Sequence, residues 1–290
     1  MAVDMKLAVI GAGRMGAAMA VRLQKSGIDV VVHNRTRSRA EATGATVADT
    51  PREAVATADA VLVSLADDTA ALSMYGGSDG IAAGLPSGCV VVETSTLDPE
   101  TVRRLADLVG ERGAALLDAP VSGSVPLVEQ GRLTFMVGGP PDALAEVRPV
   151  LDELAAQVFH VGEVGAGAMV KLAVNTVVFA LNQALSEALV LAERAGVPRT
   201  TMYEVLAHSA VAAPFVAYKR AAFERPDETP VAFSLDLVAK DLSLVARLAD
   251  RVGATLPQAT TDRETVRAAI AAGLGTADMS ALAQYLSSRP

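Results

Sequence analysis

Lys171 is the residue whose chemistry stands out most against its setting. It lies in the most apolar stretch of the chain, Met169 to Leu181, where an ammonium group is costly unless a reaction or an ion pair needs it. The glycine-rich run Gly162 to Gly167 precedes it, and Asn175 follows one helical turn later on the same face. A partly desolvated lysine can give or take a proton near neutral pH, and a neighbouring amide can orient the ammonium or hold a hydroxyl. The bland alternative is a buried lysine held in an ion pair.

A second chemical signal opens the chain. Gly11, Ala12, Gly13, Arg14, Met15 and Gly16 form a GxGxxG pattern between an apolar strand and a helix. Gly11 suits the tight turn, Gly13 lets a pyrophosphate approach the backbone, and Gly16 allows close packing of helix on strand. The end of the second strand then selects the dinucleotide. An NAD site usually offers an acid there, whereas this chain has Asn34, Arg35 and Thr36 and no carboxylate before Glu41. A guanidinium at Arg35 suits a 2′-phosphate, with Asn34 and Thr36 as donors, so NADP(H) is expected over NAD(H). Further along, Ser122, Gly123 and Ser124 follow a strand and Pro120. Their hydroxyls and backbone N–H groups can form a nest for a substrate carboxylate.

These residues must be held by a particular set of elements. Residues 6–10, 29–33, 60–64 and 89–93 read as buried parallel strands, and 115–118 and 133–137 as further strands; His160 closes another. Helical segments such as 14–26 and 99–112 alternate with them, which means an α/β, doubly wound Rossmann-type sheet. Residues 170–195 have a helical pattern, about 26 residues or roughly 39 Å long, that Gly196 and Pro198 stop. Everything beyond it reads as helical: 199–208, 214–224, 234–252 and 261–273. We therefore expect a nucleotide-binding domain over 1–162 and a helical domain over 163–290 that includes the long helix. An apolar helix of that length needs covering, which points to a homodimer or larger homo-oligomer.

Bulk composition removes several classes of function. A net charge of −8 and 51% hydrophobic residues describe a globular chain without a general nucleic-acid surface. Cys89, the single cysteine, excludes an internal disulfide and sits in an apolar strand, so packing is its expected role. With a strand and glycine turn at the start, no secretory leader is expected, and Lys171 and Asn175 argue against a membrane span. A cytoplasmic location is expected. His33, His160 and His208 have no ligand company, so no metal site is expected.

Four blocks carry a resemblance that spans nearly the whole chain: Gly11 to Gly16 with Met15, Asp118 to Ser124, Gly162 to Asn175, and Lys240-Asp241-Leu242. Their order and spacing resemble the β-hydroxyacid dehydrogenases. That group includes 3-hydroxyisobutyrate dehydrogenase and the glyoxylate, succinic semialdehyde and tartronate semialdehyde reductases. The resemblance implies that Lys171 is the catalytic acid/base with Asn175 beside it, and that Ser122, Gly123 and Ser124 take the substrate carboxylate. It also implies cofactor contacts at Leu65, Ala66, Thr96 and Lys240. The family more often shows a second glycine where Ser124 stands. The implied substrates are small carboxylate-bearing aldehydes, oxoacids or hydroxy acids. Imine reductases share the architecture but usually replace the lysine, and 6-phosphogluconate dehydrogenase has a much larger helical domain. A non-catalytic NADP(H) sensor on this scaffold would not need Lys171. Asp241 could pair with Lys171 or Lys240, or cap a helix.

Overall fold

Among the described residues, 5–289 of the computed structural model, nine strands form one sheet. They are β1 (Lys6–Ile10), β2 (Asp29–His33), β3 (Thr46–Val47), β4 (Ala60–Val63), β5 (Val90–Glu93), β6 (Ala115–Asp118), β7 (Val121–Ser122), β8 (Leu133–Gly138) and β9 (Ala155–Gly162). Their order is β3-β2-β1-β4-β5-β6-β8-β7, with β9 on β8. The pairs from β3 through β6 are parallel. β8 runs antiparallel to β6 and β7 and parallel to β9.

The valine-rich strands form because both faces of the sheet are covered. Leu7 and Val9 enter one apolar core while Ala8 and Ile10 enter the other. Val90 and Val92 pack with the first pair, and Val91 with the second, as a period of two requires. The helix Arg14–Lys25 buries Met19, Ala20 and Leu23 in the first core, and Pro99–Gly110 buries Val102, Leu105 and Val109 in the second. This is the expected α/β doubly wound sheet.

The chain divides into two compact units, one ending at Lys171 and the other starting at Leu172. The long helix, Ala166–Arg194, belongs to both by its sequence span and begins four residues before the expected Val170. The second unit is otherwise helical, as expected, with Arg199–Ala207, Pro214–Glu224, Leu235–Val252 and Pro257–Ala269 as its main helices. The last of these starts at Pro257 rather than Thr261, because a proline at the first helical position is already set to the helical φ. Its core gathers Phe179, Leu185, Tyr203, Phe215, Phe223 and Leu235. By length and composition the long helix could cross a bilayer. It also buries Asn175, Asn182, Gln183 and Ser186, polar groups that need protein partners.

Candidate active site

Five parallel strands end on the same edge of the sheet, and the residues singled out for cofactor and substrate follow those ends. Gly11 leaves β1 with φ +97°, and its N–H donates to the His33 carbonyl at 2.9 Å. A Cβ at Gly11 would collide with the Ser64 carbonyl, and one at Gly16 would collide with the Gly11 carbonyl. A side chain at Gly13, by contrast, would meet no protein atom within 4 Å. Two glycines are thus required by the protein itself, and the third faces open space at the N-terminus of the helix Arg14–Lys25. That cradle fits a pyrophosphate on the helix N-terminus.

The second strand end is stapled to this loop. Asn34 Oδ1 accepts from the Ala12 N–H at 2.9 Å, and its Nδ2 donates to the Thr36 carbonyl at 2.9 Å. The amide braces the two loops against each other. Arg35 and Thr36 beyond it are exposed, while Arg37 is tied into ion pairs with Glu41 and Asp49. Of these two arginines, Arg35 is the one free of such a pair for a ligand phosphate.

After β4 and β5 a buried network sets the loop shapes. Leu65 donates its N–H to Ser95 Oγ at 2.7 Å, and Thr94 Oγ1 donates to the Val63 carbonyl at 2.7 Å. Ser95 is buried, whereas Thr96 is half-buried and Ala66 exposed at the loop tips. Beneath them lies Glu93, wholly buried, accepting from Ser95 N–H at 2.9 Å and from the Tyr75 hydroxyl at 3.0 Å. Burial pushes its carboxyl up to about 7, against the opposing pull of those hydrogen bonds.

β6 feeds the third group. Ser122 pairs with Thr134 across β7 and β8, Gly123 has φ +138°, and Ser124 stands just ahead of the short helix Val125–Glu129. Ser124 has φ −127°, extended backbone that any residue adopts, so the missing second glycine leaves the turn intact. Asp118, the last residue of β6, is buried. Its Oδ1 accepts from Gly165 N–H and its Oδ2 from Ala168 N–H, each at 2.8 Å. Burial raises this carboxyl, and the backbone amides of Ala168, Gly165 and Gly167 counter that rise. Lys171, half-buried, follows three residues after Ala168.

In the second unit Asn175 is buried and its Nδ2 donates to Asp241 Oδ2 at 2.8 Å. The other carboxylate oxygen of Asp241 pairs with Lys240 Nζ at 2.9 Å. Asp241 therefore links two of the residues expected from the resemblance, Asn175 and Lys240. Sequence reasoning missed Glu93 as a buried acid and left Asp118 without a role. The available signal was the same for both: a carboxylate closing an otherwise apolar strand, in Val-Val-Val-Glu93 and Ala-Leu-Leu-Asp118.

Comparison with known proteins places this geometry. The profile described as the NAD binding domain of 6-phosphogluconate dehydrogenase matches residues 6–162. A second, described as NAD-binding of NADP-dependent 3-hydroxyisobutyrate dehydrogenase, matches residues 165–286. The chain is 33% identical over 280 residues to glyoxylate/succinic semialdehyde reductase 2, chloroplastic, of Arabidopsis thaliana, covering 96% of this chain and 78% of that protein. Its fold is similar to that of Mycobacterium tuberculosis 3-hydroxyisobutyrate dehydrogenase with L-serine, at a TM-score of 0.84 and 30% identity over 98% of this chain and 99% of that one. It is also similar to Psf3 in complex with NADP+ and 2-OPP, at a TM-score of 0.89 and 27% identity over 97% and 100%. The glycine cradle, the four ordered blocks and these matches lead to one statement: the chain belongs to the β-hydroxyacid dehydrogenase family.

Proposed function

We propose that this chain is an NADP(H)-dependent oxidoreductase that interconverts small 3-hydroxy acids with the matching semialdehydes or oxoacids. One observation carries the reading. The helix bearing Lys171 starts on a carboxylate from the very strand that leads into Ser122 and Gly123, so proton donor and carboxylate nest share one anchor. The names of the relatives, a glyoxylate/succinic semialdehyde reductase and a 3-hydroxyisobutyrate dehydrogenase, support the substrate class.

The cofactor would rest on Gly11, Ala12, Gly13, Arg14, Met15 and Gly16, with Asn34, Arg35 and Thr36 at the adenosine ribose. Leu65, Ala66, Thr96 and Lys240 are assigned as its other contacts. When bound and reduced, the nicotinamide supplies the hydride. The chain's own residues do the rest. Ser122, Gly123 and Ser124 hold the substrate carboxylate through hydroxyl and backbone donors and so fix which carbon is presented. Lys171 holds a proton on Nζ and passes it to the carbonyl oxygen as that oxygen gains charge; in oxidation it removes the hydroxyl proton. Asn175, oriented by Asp241, contacts the same oxygen or the ammonium. Exposed apolar side chains on the long helix, Val177 and Leu191, support a homo-oligomeric state.

The test is a Lys171→Ala variant. Its NADPH affinity should stay within about threefold of wild type, while turnover of the best semialdehyde or oxoacid drops about 100-fold or more. Turnover surviving within a few-fold would overturn the assignment. A substrate panel that includes cyclic imines checks the class, because selective turnover of imines would favour an imine reductase instead.

A further inference from the structure

We propose that Asp118 is a positioning residue that sets both the place and the proton affinity of Lys171. The inference rests on the reading of Lys171 as the proton donor. Asp118 is 1% exposed and ends β6 four residues before Ser122. Its two oxygens accept from Gly165 and Ala168, the residue just ahead of the long helix and its third residue. A helix of 29 residues is therefore capped by a side chain 47 residues earlier in the chain, because Gly165 has no side chain to offer. The contact is close on the backbone side too. A Cβ at Gly167 would collide with the carbonyls of Asp118 and Met136, so the helix start can seat on the strand end only with glycine there.

Two consequences meet at Lys171. Geometrically, one carboxylate fixes the beginning of the substrate turn and the first turn of the helix, and so fixes the span a substrate must fit. Electrostatically, the carboxylate sits at the positive end of the helix, bonded to the backbone three residues before the lysine. It favours the ammonium form, which the proton donor needs during reduction. Other charged groups face this junction: Glu93 lies opposite Asp118 in the β5–β6 register, the Arg103 guanidinium lies against Gly165, and Glu163 precedes the helix. Of these groups, Glu163 also meets the helix start, but through its main-chain carbonyl, which accepts from the Ala166 N–H at 2.9 Å, whereas Asp118 accepts from Gly165 and Ala168 through its side chain.

The experiment compares wild type, Asp118→Asn and Lys171→Ala. The asparagine variant keeps the shape but loses the charge and turns one N–H acceptor into a donor. Its kcat for reduction should fall tenfold or more, with the NADPH dissociation constant changed less than threefold. The alkaline limb of its reduction profile, where Lys171 gives up its proton, should move to lower pH by at least half a unit. The same shift should appear without any turnover, in the pH dependence of Lys171 acetylation by acetic anhydride read by mass spectrometry. A purely structural cap would lower the amount of folded enzyme and leave both pH curves in place, and that result would overturn the proposal. Should Asp118→Asn fail to bind NADPH, Asp118→Ser, which keeps a neutral acceptor, carries the same two readings. If Lys171→Ala stays active, the assignment of the acid is what fails. If it is inactive while the acetylation curve of Asp118→Asn does not move, only the positioning role fails.

Discussion

At the scale of single residues, the buried acids decide more than the exposed charges. Glu93 has no contact with solvent, and burial holds its carboxyl near 7, well above its ordinary 4.5. The folded protein thus prefers a proton there that the unfolded chain releases earlier. The stability of this protonated form is fully present below the ordinary value and is lost as pH rises through about 7. The loss is on the order of 3 kcal/mol across that window. Unfolding free energies from urea titration, taken at pH 5 and pH 8, should therefore favour Glu93→Gln over wild type increasingly with pH. Parallel pH dependences in the two proteins would show that Glu93 ionises normally. Cys89, by contrast, behaves as its sequence setting implied: it is buried, and burial pushes its thiol up to about 12. Its setting was readable because an apolar run decides packing locally. Glu93 was not readable as a buried acid, because its partner Tyr75 ends the helix Asp68–Tyr75 and only the fold brings its hydroxyl to the carboxylate.

At the scale of elements, the regular strands and most helices were legible because their signals are local. Valine-rich runs, a proline or serine at a helix start and a glycine past its end mark 29–33, 90–93, 214–224 and 235–252. What escaped was set at long range. The long helix starts early because Asp118 caps it from another strand. The two-residue strands Thr46–Val47 and Val121–Ser122 exist only as pairings with neighbours. In the candidate site, the motif residues were legible, as was Lys240 among the partners open to Asp241; its bond from Asn175 was not, since nothing in Lys-Asp-Leu says that Asn175 will meet it. The same kind of distant tie holds the end of the helical unit. Burial would raise the Asp278 carboxyl, but Lys219, at 2.7 Å, and the amides of Ser280 and Phe233 hold it below its usual value. Asp278→Asn should cost about 3–5 kcal/mol, because it removes the charge that faces the ammonium of Lys219 at 2.7 Å, on a side chain only 3% exposed. Thermal unfolding checks this, and a loss under 1 kcal/mol would mean that the charge of Lys219 is satisfied without Asp278. The contribution is present above the ordinary aspartate value and disappears as pH falls through the depressed one.

At the scale of the whole molecule, a net charge of −8 must be reconciled with a proposed ligand that is itself strongly anionic. A molecule of that sign repels a 2′-phosphate at long range, so attraction has to be local, and the proposed function assigns it to Arg35, an exposed guanidinium. Arg35→Ala should weaken NADPH binding about tenfold or more at low salt while changing NADH binding less than about threefold. Fluorescence titration of both cofactors decides it, and equal losses would remove the phosphate clamp from the reading. The stapling of Asn34 to Ala12 has a practical side as well. Exchanging Asn34 would remove an acceptor from the glycine loop, whereas Arg35 and Thr36 are exposed and their side chains make no bond to that loop. If the proposed phosphate clamp holds, cofactor preference could therefore be retargeted by engineering two adjacent codons while the phosphate-binding hardware stays unchanged.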